Sequence, residues 1–563
     1  PERAVQVESA PERVTLRFNE PVEVAFGSVR AYDARGERVD SGSAEHPAGR
    51  ADEVAIGLRG GLDDGIYTVT YRVVSADSHP VAGGFTFTVG AGGAAPRIGV
   101  DELIDTGAAG SVTQVGFGVA RGLAYLAIAL GAGGLLFAFA VWFPALRESA
   151  GAGPGWLAAG ERFAARTRTL LLAAAALGVL SSSLGIVLQG ATAAATSAWS
   201  ALDPEVIGDV LGTRFGTIWG LRLVAWLAFG LLVALPVAQA APVLRPASLG
   251  ATGLAPARSG SGAGLAAAAL IAAFICVTPA LAGHASTVDP AALLVPANAL
   301  HVSAMAVWVG GVAMLLLALP AATRRLDPRE RTALLAAAVA RFSTIALIAV
   351  AALVASGVLQ AVAELERVAD LLESGFGRAI LVKVGLVVAL LALGAWNRGR
   401  GRPQLARRAA RGESPGRTGL LFRRSLTAEL GLMAAVLAAT AALASYAPPT
   451  AQGGGPFATS EDLGPARMEL TLDPARPGPN ELHLYLFDRR DGSQFDRVKQ
   501  LELRARLPER DIGPLDLRAE KAGPGHYVVR RAGIAPAGDW QLDVSARVSA
   551  FDAYTSEIEV PIE

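Results

Sequence analysis

"NALHVSAMAVW", residues 298–308, lies within an apolar run from about 294 to 319, yet it carries His301 and, four residues later, Met305. About 20 mostly apolar residues cross a bilayer as a helix, so this run reads as a membrane span. Seven other stretches have the same character: roughly 115–143, 169–193, 216–240, 264–284, 343–363, 377–396 and 425–446. Gly clusters within them, GAGG (131–134) and GG (310–311), permit close helix packing in lipid. The composition agrees, with 52% apolar residues, 6% aromatics and a mean hydropathy of +0.40. The net charge is zero, which gives no basic signal for nucleic acid. The single cysteine, Cys276, excludes an intrachain disulfide and sits in an apolar run, where a packing role is expected. The first residues lack a basic segment followed by an apolar one, so no signal peptide is expected among them.

The connections set the orientation. Arg147, Arg162, Arg166 and Arg168 lie between spans one and two, and Arg245 and Arg258 between three and four. Arg324, Arg325, Arg329, Arg331 and Arg341 follow span five, and nine Arg from Arg398 to Arg424 follow span seven. The alternate connections hold only Arg214 and Arg367. Arg-rich loops stay in the cytoplasm, so both termini are expected outside. The outer loops carry acidic residues such as Asp203, Asp209, Asp289 and Glu364, which would concentrate cations there. A weak internal repeat points to two four-helix halves in the same orientation. FGTIWGLRL (215–223) resembles FGRAILVKV (376–384), SLGIVLQ (183–189) resembles ASGVLQ (355–360), and Arg121 and His301 stand ten residues before Gly131 and Gly311.

Ionisable groups inside spans are costly in lipid and mark sites. Here they are Arg121, Arg222, His301, Lys383 and Glu429. The first four lie about six or seven residues into inward-running spans, roughly 10 Å below the outer surface. An outer ring of three cations and one imidazole is expected. Glu429, near the cytoplasmic end of span eight, is expected to pair with a loop Arg. His301 and Met305, spaced i and i+4, share one helix face.

The ends of the chain are β-rich. Residues 1–92 alternate apolar and polar (VTLRF, YTVTYRVV, GFTFTV) between turns, the pattern of a small antiparallel sandwich or barrel. Within SADSHPVAGG (75–84), Asp77 and His79 stand two apart on an extended segment and point to one side. The domain has neither Met nor Cys, so a metal site there would be of N/O character, suited to Cu(II) or Zn(II). Residues 93–114 and 448–459 are Gly-, Ala- and Pro-rich linkers. Residues 460–563 read as an Ig-like β-sandwich of about seven strands, in which His483 and His526 are expected to be structural and without partners.

These motifs resemble the copper resistance family of CopC and CopD proteins. VTLRFNEPVE (14–23) and SADSHPVAGGFTFTV (75–89) are similar to CopC. GHAS (283–286), NALHVSAMAVWVGG (298–311), RFS (341–343), FGRAILVK (376–383) and NR (397–398) are similar to CopD, and the tail resembles a YtkA-like domain. The resemblance covers nearly the whole chain. It implies a Cu(II) site of Asp77 and His79, with Glu20 as a further ligand and an N-terminal His shortly upstream of Pro1. It also implies His284 and His301 as the membrane histidines.

The expected architecture is a multidomain membrane protein. An eight-helix transmembrane bundle (115–447) of two four-helix repeats is flanked by a CopC-like β-sandwich or barrel (1–92) and a C-terminal Ig-like β-sandwich (460–563). The expected function is to gather copper outside a bacterial plasma membrane and pass it into or across the bilayer, in copper import, homeostasis or resistance. Copper would be Cu(II) in the first domain and Cu(I) or Cu(II) in the membrane, where Met305 beside His301 suits copper as it becomes Cu(I). Partners would be copper ions, membrane lipid and periplasmic or extracellular copper carriers. Two other readings stay open. One is a haem-binding or redox membrane protein, in which the outer His are axial ligands and Arg121, Arg222 and Lys383 hold propionates. The other is a scaffold that relays copper between external domains. No nucleotide-binding motif and no nucleophile–base arrangement is present, so neither an ATP-driven pump nor a hydrolase is expected, and no enzyme activity outside the redox alternative.

Overall fold

The structure, a computed structural model, describes residues 6–7, 9–18, 21–24, 29–75, 80–90, 111–151, 154–193, 199, 202–235, 259–287, 290–365, 368, 370–443, 457–473, 475–490 and 492–562. The first domain contains β1 (Gln6–Val7), β2 (Arg13–Arg17), β3 (Val22–Glu23), β4 (Val29–Tyr32), β5 (Asp40–Glu45), β6 (Glu53–Leu58), β7 (Gly65–Ser75) and β8 (Pro80–Val89). One sheet runs β1–β8–β7–β3, with β4 also on β7, and the second runs β2–β6–β5. Alternation in β2 buries Val14 and Leu16 and exposes their neighbours. These residues meet Tyr67, Val69, Phe85 and Phe87 of the other sheet in one core, so the domain is a sandwich. Pairing is antiparallel except that β1 lies parallel to β8.

The C-terminal domain contains β9 (Phe457–Leu463), β10 (Ala466–Asp473), β11 (Gly478–Asp488), β12 (Gln500–Leu507), β13 (Ile512–Leu517), β14 (Glu520–Gly523), β15 (His526–Ile534), β16 (Gly538–Arg547) and β17 (Ala553–Ile562). They form a five-stranded sheet, β14–β15–β11–β10–β9, and a four-stranded sheet, β13–β12–β16–β17. The count exceeds the seven or so expected. Short β13 and β14 attach through register shifts, which break the regular alternation that sequence reading relies on. Leu482, Leu484 and Leu486 of β11 face the core around Trp540. Tyr485 and Phe487, on the opposite face of β11, are buried against Ile66 of β7, so the two β-domains touch.

Among the described residues, eight helices are long and apolar enough to cross a membrane: Val115–Ser149, Gly155–Thr192, Arg214–Ala234, Ala263–Leu281, Ala291–Thr323, Pro328–Glu364, Gly375–Ala410 and Gly416–Leu443. Several exceed their apolar stretch because the Arg-rich flank continues the helix. Span two starts well before residue 169 and carries Arg168, whose guanidinium donates to the Val233 and Ala234 carbonyls (3.2 and 2.8 Å) at the end of span three. A cation there satisfies orphan carbonyls and the helix dipole. Spans one and five meet at glycines. A Cβ on Gly133 would stand 2.9 Å from Gly310 Cα, and one on Gly310 would stand 2.8 Å from Gly133 Cα. Only a residue without a side chain allows that backbone approach. Near it, Trp142 stacks on Phe163 at 3.9 Å.

Candidate functional site

Spans five to eight, with Tyr125 of span one and the end of span four, line a cavity of about 490 Å3. Span five supplies Asn298, His301, Met305 and Trp308 to its wall, and span six supplies Gln360 and Glu364. Span seven adds Ile380 and Lys383, and span eight adds Met433. The helical period puts Asn298, His301 and Met305 on one stripe. His301 Nδ1 lies 3.1 Å from Ser356 Oγ. That hydroxyl has one proton, which it directs to the Ala352 carbonyl at 2.6 Å. It therefore accepts from His301, so Nδ1 carries the imidazole proton and Nε2 keeps its lone pair. A histidine oriented through one nitrogen and basic at the other is the arrangement of a metal ligand. Asn298 donates to Gln360 Oε1 at 2.6 Å, and Gln360 donates to the Ser356 carbonyl at 2.9 Å, which locks spans five and six beside the imidazole. Gly357 leaves room for the ring, since a Cβ there would stand 3.1 Å from His301 Cε1.

Met305 lines the cavity as expected. Met433, which the sequence reading did not single out, lines it too. Its signal was rarity, since the chain has four Met, but Met433 is itself buried in the same apolar core as Met314. Imidazole and thioether are donor types that suit Cu(I). Among the described residues, no three His, Cys, Asp or Glu side chains cluster closely enough to hold a metal ion. His284 opens a short helical turn, His284–Ser286, after span four. Its neighbours Gly283 and Ala285 line the same cavity. Asp77, His79 and Glu20 lie outside the described residues.

The expected ring of charges is not one ring. Lys383 lines the cavity with His301, whereas Arg121 and Arg222 do not. Arg222 is buried, donates to Thr278 Oγ1 at 2.7 Å and lies over the Trp219 ring at 4.4 Å. Arg121 lies over Phe117 at 4.1 Å. Cation–π contact satisfies each charge within its own half, which removes two of the three cations that the haem reading needed beside His301. Glu429 also departs from expectation. It accepts from Asn397 Nδ2 at 2.7 Å rather than from a loop Arg. Asn397 belongs to the NR pair, and its neighbour Arg398 donates to Ser343 of RFS at 2.8 Å. These residues surround a second cavity of about 280 Å3, and Trp308 and Leu391 line both cavities.

The C-terminal domain holds a further polar cluster that the sequence reading missed. His483 and His526 are not without partners: His483 Nδ1 lies 3.2 Å from His526 Nε2. Strand pairing places His526 opposite Tyr485, diagonal to His483, and the Tyr485 ring stacks on His526 at 4.2 Å. Burial and then the neighbouring His483 hold the His526 imidazole down to about 4, and burial holds His483 below its usual value. Forty-three residues separate the two in sequence, so only strand order could reveal the pair.

A bundle of eight helices of membrane-spanning length, with a cavity that His301, Met305 and Met433 help to line, joined to β-sandwiches, defines a class: multipass membrane proteins with flanking β-domains. Comparison with known proteins narrows it. The CopC domain family matches residues 1–90, the copper resistance protein D-like N-terminal domain matches 112–264, and copper resistance protein D matches 336–443. The chain is 28% identical over 503 residues to the copper transport protein CutJ of Bacillus subtilis (strain 168), spanning 88% of this chain and 82% of that protein. It is 33% identical over 89 residues to protein YobA of Escherichia coli (strain K12), 16% of this chain and 72% of that protein. It is 34% identical over 87 residues to copper resistance protein C of Escherichia coli, 14% of this chain and 69% of that protein. Among solved structures, CopC from Methylosinus trichosporium OB3b shares 35% identity over 16% of this chain and 85% of that one, with a TM-score of 0.15. The chain belongs to the CopC–CopD family of copper resistance and copper transport proteins.

Proposed function

We propose that this protein gathers copper on the outer side of the bacterial plasma membrane and passes it into the bilayer through the cavity at His301. The observation that carries this reading is the His301 tautomer, with Nδ1 committed to Ser356 and the Nε2 lone pair left for a ligand in a cavity that Met305 and Met433 also line. Asp77, His79 and Glu20 of the first domain would capture Cu(II), with the acidic outer loops raising its local concentration. Copper would then reach His284 at the cavity rim, His301 and Met305, and pass Trp308 toward the inner cavity at Glu429. The even number of spans and the contact of Ile66 with Tyr485 and Phe487 both support placing the two β-domains on one side, outside. The C-terminal sandwich, read as YtkA-like, would stand beside the capturing domain. Periplasmic or extracellular carriers would deliver the ion.

His301→Ala is expected to abolish copper uptake or the copper-dependent phenotype while leaving membrane abundance unchanged. Normal copper handling by this variant at wild-type abundance would falsify the path. Orientation is tested separately by labelling from outside: a Cys placed at Asp289 should react and one at Gly412 should not.

A further inference from the structure

We propose that His483 and His526 form a binding site for one divalent copper ion, held by His483 Nδ1 and His526 Nε2, with water completing its coordination. This site is separate from the membrane path and does not depend on it. The two nitrogens face each other at 3.2 Å. Metal–imidazole bonds of about 2.0–2.1 Å to a shared ion give this separation at an N–metal–N angle of roughly 100°, near the cis arrangement of a tetragonal or tetrahedral site. A hydrogen bond also fits the distance, and the surroundings argue for more than that. His483 Nε2 lies 3.4 Å from Glu481 Oε1. A carboxylate behind one ring nitrogen holds the proton there and leaves the other nitrogen basic, the arrangement that orients ligating histidines. Nδ1 of His483, the nitrogen facing His526, is thus the one with the lone pair.

His526 is fixed from the other side by the Tyr485 ring, parallel to it within 6°. Tyr485 is itself immobilised in the contact between the two β-domains, against Ile66. Neither imidazole therefore has to be ordered when the ion arrives, which lowers the entropic cost of binding. His526 needs only to shift its proton from Nε2 to Nδ1, so no net proton is released. The His483 side chain retains 12% of its exposure, enough for water to reach the ion. For a given nitrogen-donor site, affinity among divalent first-row ions peaks at copper, and beside His483 the Glu481 carboxylate offsets the nearby Arg530 guanidinium.

The test uses the full chain in detergent, with His79→Ala, His284→Ala and His301→Ala introduced to silence the other proposed histidine ligands. Cu(II) titration followed by electron paramagnetic resonance should then find one remaining site with two equatorial nitrogens. His526→Phe, which keeps the stack on Tyr485, should remove it. Glu481→Gln should retain it with affinity lowered about 10- to 100-fold. His483→Gln and His526→Gln keep a polar side chain at each position and should lose the signal as well, so a folding defect in the Phe variant does not decide the matter. The proposal is overturned if the background protein shows no two-nitrogen site, or if the signal survives in a folded His526 variant.

Discussion

The two halves of the membrane bundle carry matching charges and treat them differently. Arg222 and Lys383 occupy corresponding places in FGTIWGLRL and FGRAILVKV, and Arg121 and His301 correspond through Gly131 and Gly311. Three residues before Arg222 stands Trp219, and four before Arg121 stands Phe117. Both aromatics carry the guanidinium on their faces. The matching residues of the second half are Ile380 and Ala297. Without aromatic faces there, Lys383 has the Glu364 carboxylate as its charge partner and His301 has Ser356, and both line the cavity. The comparison teaches that an ionisable residue in a span does not by itself mark a site. The adjacent turn decides whether the group is held on its own helix or by a partner from another span at a cavity wall.

The strongest way to break the comparison is to separate the halves. Gly310→Val would drive a side chain into the backbone of span one, where a Cβ already stands 2.8 Å from Gly133 Cα. We expect a cost of about 3 kcal/mol or more, read as loss of folded protein from the membrane. Next comes the pair of matched cations. Arg222→Ala leaves Thr278 without its partner and a void at Trp219, so the melting temperature in detergent should fall by the equivalent of about 2–4 kcal/mol. Lys383→Ala removes the charge partner of Glu364, should cost less stability than Arg222→Ala because both groups line a cavity, and should impair copper handling. If Lys383→Ala destabilises as much as Arg222→Ala while copper handling stays normal, the distinction between the halves fails.

Restoring an aromatic would sharpen it. Ile380→Trp should fill the cavity and reduce copper uptake at normal abundance, and an unchanged uptake would mean that the open volume is not used. The smallest effects concern orientation and softness at His301. Ser356→Ala frees the imidazole tautomer and should weaken binding about tenfold by the reasoning for groups that orient ligands. Met305→Leu conserves volume and should cause a lesser loss, detectable only if the thioether binds the ion.

Much of this was legible without coordinates. The eight spans follow from apolar runs of bilayer length, and the described residues form eight such helices. Alternating strands declared both β-domains, and His301 and Met305 declared one face of span five. Three features were not legible, each because it depends on which helices or strands become neighbours. Met433 joins His301 only because span eight closes the cavity. Glu429 takes Asn397 rather than an Arg because a buried carboxylate is satisfied by the nearest donor in its own plane. The nine-strand count of the C-terminal domain is hidden by short strands with shifted register.

The sequence alone determined the solvent of each segment, because hydrophobicity and period depend on local residue order. It determined the family through its motifs, and it marked His301 and Met305 through their i and i+4 spacing. Tertiary structure decided which polar groups are satisfied. Whether Arg222 meets Thr278, whether His301 spends Nδ1 on Ser356, and whether His483 reaches His526 across 43 residues are questions of packing between distant segments. A hydrogen bond forms or fails over a few tenths of an ångström, and no local pattern in the chain encodes distances that fine.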